Sequence, residues 1–140
     1  GRSRHIFKSI VAAFVASVWI SAPARADQAR LDELFAQLAG ADSVDAGNRI
    51  VREIRIEWGR SGSAAVDLLL QRGVDSLEAG DFAAGVEHLT AAIDHAPDFA
   101  QAWHLRATAY YMTGDIGPAL SDLGRALMLE PRHFGAMQGL

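Results

Sequence analysis

The stretches "APDFAQAW" and "EPRHFGAM" each carry a proline shortly before a Phe, and the two prolines, Pro97 and Pro131, stand 34 positions apart. Aligning the residues from Val66 with those from Ala100 extends that offset. Leu69 falls on Trp103, Gly73 on Ala107, and the pair Gly80-Asp81 on Gly114-Asp115. Gly85 falls on Ala119, Leu89 on Leu123, and Ala92 on Ala126. Residues of matching size at one fixed spacing make an internal repeat, and a period in this range signals a stacked architecture.

Each unit reads as two helices. In "AWHLRATAYYM" the residues Trp103, Ala107, Tyr110 and Tyr111 recur at helical spacing, and in "PALSDLGRALML" Leu120, Leu123 and Leu127 do. Gly80 and Gly114 can take the left-handed conformation that stops a first helix. Asp81 and Asp115 follow as N-caps of the second. Pro118 falls in a first turn, where its missing N–H costs nothing. Pro97 and Pro131 end the second helices, with Asp98 available as a cap for the next. The small pairs Gly73/Ala107 and Gly85/Ala119 let the helices of one unit approach, and Leu69/Trp103 and Leu89/Leu123 fill the spaces between. One hairpin cannot bury its apolar face alone, so neighbours must stack.

The set Trp103, Ala107, Tyr110, Ala119, Leu123, Ala126 and Pro131 resembles the tetratricopeptide repeat, whose period is also 34. The resemblance covers residues 66–97 and 100–131, with a third unit starting at Phe134, where Met137 takes the place of Trp103. The first unit departs from the pattern at Ser76, where an aromatic is usual, and at Gly85, where Ala is usual. The resemblance implies an all-α fold, a right-handed helical-hairpin solenoid. It also implies a concave groove lined by the first helix of each unit. The exposed positions there would be Asp67, Leu70, Val74, Leu77 and Glu78, then Gln101, His104, Thr108, Tyr111 and Met112. The Lys, Asn and Arg with which some members clamp a peptide carboxylate are absent at these places, so that activity is not carried over.

Upstream, Leu31, Leu34, Phe35 and Leu38 give an amphipathic helical pattern, and Ile50, Val51, Ile54 and Trp58 give another. Residues 27–63 therefore read as a divergent helical pair, a candidate cap on the stack of residues 64–140. The first 26 residues have a different layout. Arg2, Arg4 and Lys8 precede a charge-free run at 10–20, and "SAPARA" follows. That is the three-part pattern of a secretory signal peptide with a cut after Ala26. The apolar run is about half the roughly 20 residues a spanning helix needs, so no stable membrane span is expected after cleavage.

Cleavage would leave all 17 acidic residues against nine arginines, a net charge near −8, compared with −4 for the whole chain. Such a surface disfavours nucleic acid and anionic membranes as partners. The chain has no cysteine, which excludes disulfides and thiolate metal sites. Its one lysine, Lys8, lies in the leader, so the rest holds no Schiff-base lysine.

The remaining chemistry is thin. His88 and His95 are seven apart, and His95 clusters only with Asp94 and Asp98 across a turn, which is no known metal spacing. "GRSGSAA" lacks the Lys of a phosphate loop and reads as a linker that caps a helix. Ser43, Ser61 and Ser63 fall in turns or caps. Arg49, Arg52, Arg55 and Arg60 interleave with Glu53 and Glu57. They read as an ion-paired solvated face, Arg49 with Glu53 at i, i+4, and otherwise as a seat for an acidic partner. The expectation is an exported, non-enzymatic scaffold without cofactor or metal, binding a peptide or helix of an envelope protein in the groove. The other reading is an accessory helical domain of a larger envelope enzyme whose catalytic part lies beyond residue 140. Self-association through exposed ends is a further expectation.

Overall fold

The computed structural model describes residues 22–139, with side chains from Gln28 onward. Among the described residues there are helices and turns but no strand. The helices are α1 (Ala22–Ala39), α2 (Val44–Trp58), α3 (Ala64–Glu78), α4 (Phe82–His95), α5 (Ala100–Met112), α6 (Ile116–Leu129) and α7 (Phe134–Gln138). They pack as adjacent antiparallel partners, α1 with α2, α3 with α4 and α5 with α6, and α5 also lies against α4. The result is a helical-hairpin solenoid. The expected leader centre at 10–20 lies outside the described residues, and the expected cut after Ala26 falls within α1.

The turns repeat with the sequence. Gly80 and Gly114 have φ of 75° and 83°, which only glycine adopts cheaply. The amide of Asp81 donates to the Ser76 carbonyl, and that of Asp115 to the Tyr110 carbonyl, both at 2.9 Å. Each closes a Schellman-type helix end. The caps do not repeat so well. Asp81 accepts from the Ala84 amide at 3.1 Å. Asp115 stands at the equivalent position but makes no such bond; its carboxylate lies 3.1 Å from the Thr113 hydroxyl. Ala79, the counterpart of Thr113, has no hydroxyl. Asp98 is not the cap of α5 either; that place belongs to Phe99, which offers no side-chain acceptor.

Leu89 and Ala92 are fully buried between the units, with Val66, Leu70, Phe99 and Ala102 around them. Burying a leucine of this kind contributes about 2 kcal/mol. Trp103 packs against this cluster and against the Ala107–Leu123–Ala126 cluster of the next unit, and its indole N–H donates to the Pro97 carbonyl at 2.9 Å. The close approach read from the small residues is visible at Gly85, where an added Cβ would lie 3.1 Å from Leu77.

The N-terminal pair has its own core of Leu31, Leu34, Ile50, Ile54 and Trp58. A cap would seat on α3 and α4. This pair instead sends its side chains to the far end of the repeats. Phe134 of α7 packs into its core, and Trp58 stacks on His133 with ring centroids 4.2 Å apart. Arg132 donates to Asp32 at 2.7 Å and to Gln28 at 3.2 Å, and its guanidinium lies 4.6 Å from the Phe35 ring. The aromatic face of α1 and α2 thus matches the turn before α7, not α3.

Candidate functional site

Two neighbouring clefts open beside α5. The first, about 390 Å³, lies between His104, Thr108 and Tyr111 of α5, Ile116, Leu120 and Leu123 of α6, and α7. The second, about 250 Å³, lies between Arg55 and Trp58 of α2, Gln101 and His104 of α5, and His133 and Gln138. His104, Gly135 and Gln138 line both. Four of the groove residues read from the sequence, Gln101, His104, Thr108 and Tyr111, therefore border this paired opening. Tyr111 is 66% exposed and is the most accessible of its large apolar linings.

The others go elsewhere. Leu70 is a correction: it is 7% exposed and belongs to the core. It aligns with His104, but α4 and α5 both pack on α3 and cover it, whereas His104 meets His133 and Gly135 and stays half-buried. Asp67 accepts from the Ser61 amide at 2.8 Å and the Ser61 hydroxyl at 2.6 Å, fastening the turn before α3. Val74 is half-buried, Glu78 is exposed at the end of α3, and Met112 is exposed; none of the three lines either cleft.

His133 is the residue at this site that the sequence reading passed over. It is 2% exposed. Its Nδ1 accepts from the Ala136 amide at 3.1 Å, capping α7, so its Nε2 carries the proton and donates to Gln101 Oε1 at 2.7 Å. Burial, helped by His104 at a centroid distance of 4.8 Å, pushes its pKa down to about 4. Burial also lowers the pKa of His104, whose Nδ1 is buried without a partner. Both rings are therefore neutral at pH 7, and both nitrogens of His133 are spent within the fold.

A neutral, capped His133 ties stability to pH. Its folded pKa lies below the unfolded value of 6.5, so the unfolded chain binds the extra proton first. The contribution is complete above pH 6.5 and drains away as pH falls toward 4. Between pH 7.5 and 5 the unfolding free energy should drop by about 2 kcal/mol through this group. Urea midpoints at the two pH values, compared with those of His133→Asn, test it; an equal drop in the variant would refute the assignment.

A second unforeseen pair supports α5 from behind. Arg106 donates from Nε and Nη2 to the two oxygens of Asp122, at 2.8 and 2.9 Å, and from Nη1 to Thr90 at 3.2 Å. Its guanidinium also lies 5.1 Å from the Trp103 ring centre and 5.6 Å from that of Tyr110. Arg72 recurs one period earlier, but His88 stands there in place of Asp122, and Arg72 is exposed. Among the described residues no group of three His, Asp or Glu side chains converges as metal ligands would, and no helix is long and apolar enough to cross a membrane.

Comparison with known proteins gives the following. A TPR repeat-containing protein of Rhizobium etli is 40% identical over 111 residues, which are 79% of this chain and 54% of that protein. Tetratricopeptide repeat protein 36 of Bos taurus is 33% identical over 99 residues, 71% of this chain and 52% of its own. The Homo sapiens protein of the same name is 32% identical over 99 residues, with the same coverage. The chain spans about half the length of these curated relatives. No family model matches it.

Proposed function

The chain belongs to the tetratricopeptide-repeat family, a scaffold fold for contacts between proteins, and from that premise we propose that it holds a partner's peptide or helix in the paired cleft beside α5. The observation that carries this reading is the cleft of about 390 Å³, whose rim exposes Tyr111 and half-exposes Ile116 and Leu120. Their counterparts one period earlier, Leu77, Phe82 and Val86, are partly covered. Tyr and branched apolar side chains beside the neutral ring of His104 and the amide of Gln138 suit a helix or strand that brings both apolar and amide groups. No reaction is required, and the chain acts without a cofactor. The leader pattern supports export, with a mature protein beginning at Asp27 that works in the periplasm or outside the cell, on a partner in the envelope.

A photo-reactive phenylalanine placed at Tyr111 tests the site, with one at Met128, which is 74% exposed and lines no cleft described above, as the control. The expected result is one defined adduct from position 111 and none from 128. Equal labelling from both positions, or none from 111, would remove the cleft from the account. N-terminal sequencing of the exported protein should begin at Asp27, and recovery of the intact leader in the cytosol would remove export.

A further inference from the structure

The charges of α2 are sorted, not interleaved. Glu53 pairs with Arg30 of α1 at 3.4 Å, and Glu57 pairs with Arg60 at 3.6 Å. Among the described residues no carboxylate reaches Arg49, Arg52 or Arg55, and all three are exposed. The expected Arg49–Glu53 pair is therefore not formed, because α1 lies along the other flank and takes Glu53. Three residues apart, the arginines wind along one side of α2 and end at Arg55, whose guanidinium lies 5.5 Å from the Phe134 ring. Arg55 forms part of the wall of the 250 Å³ cleft, which His104 and Gln138 also line.

We propose that the arginine flank of α2 and the cleft behind Arg55 are a docking surface for an acidic peptide segment. The proposal rests on the scaffold reading above and names the chemistry of the partner. Arg49 to Arg55 cover about 9 Å of helix, which matches three or four residues of extended chain. Guanidinium groups fit carboxylates in a bidentate way, and Arg55, lying over an aromatic ring, loses less freedom when it pairs. The chain as a whole carries a net charge of −4, so a long polyanion would meet repulsion beyond this flank. A short acidic run feels chiefly the charges within about 8 Å. The residue that follows the acids can enter the cleft and meet His104 and Gln138.

The test is selection of random peptides of about a dozen residues, displayed on phage, against the full chain. Enriched peptides should carry at least three Asp or Glu within four residues, and their affinity should fall steeply with added salt. The Arg52→Glu/Arg55→Glu variant, altered only at exposed positions, should keep its thermal midpoint and lose about tenfold or more in affinity. A peptide with Lys in place of its acids should then bind the variant. Enrichment of neutral or basic peptides, no enrichment at all, or an acidic peptide indifferent to the double substitution would each overturn the proposal. Tyr111→Ala separates it from the scaffold reading. Loss in Tyr111→Ala alone overturns the arginine surface and keeps the cleft, whereas loss in the arginine variant alone keeps this proposal and removes the Tyr111 cleft.

Discussion

Asp122→Ala is expected to lower the unfolding free energy by about 3 kcal/mol, because it strands the guanidinium of Arg106 between α5 and α6. The side chains of Arg106 and Asp122 are 15% and 5% exposed, so water cannot replace the lost carboxylate. A guanidinium keeps its proton at pH 7 even without its carboxylate, so the cation cannot escape by becoming neutral. The rings of Trp103 and Tyr110 keep some hold on the charge, which places the loss at the lower end for a broken buried pair. Removing both charges together should do far less harm. Arg106→Met/Asp122→Leu is expected to recover most of the stability, since apolar groups of similar volume leave nothing unpaired. Urea denaturation at pH 7 measures both variants. A loss below about 1 kcal/mol for Asp122→Ala would mean that the pair is not buried as described.

Trp58→Ala is the second large effect, about 3 kcal/mol or more. The indole fills the space between Phe35, His133 and Phe134, with centroid distances of 6.1, 4.2 and 4.6 Å. Its removal takes away part of the wall that α2 gives to the second cleft. Hydrogen exchange should therefore quicken in α1, α2 and α7 while α3–α6 stay protected, since each repeat leans mainly on its neighbours. The N–H of Trp58 is buried without a partner, so Trp58→Phe should cost much less. Uniform loss of protection across all helices in Trp58→Ala would contradict this division.

The helical hairpins could be read from the sequence because their signals are local and occur twice. Gly80 and Gly114 fix helix ends through backbone conformation, and the matched Leu89 and Leu123 fix the buried face. The seat of α1 and α2 could not be read in this way. An amphipathic stripe says that a face is buried but not against what, and nothing local links Trp58 with His133. Leu70 was misread for a related reason. The repeat alignment equates it with His104, yet Leu70 lies in a core cluster while His104 borders both clefts beside His133. Arg106 and Asp122 escaped notice because an ion pair inside a small-residue repeat has no periodic signature; its partner position changes to His88 one unit earlier. The arginines of α2 were visible as a run, but their pairing depended on where α1 lay.

The bond from Arg132 to Asp32 and Gln28 joins positions about a hundred apart in the chain. A plain row of hairpins unravels from its tips, each unit melting almost on its own. Here α1 is bonded to the turn before α7, so that turn cannot fray without disturbing the first hairpin. The first hairpin and α7 should therefore melt together, and their contact should form late in folding, because it must wait for a long loop to close.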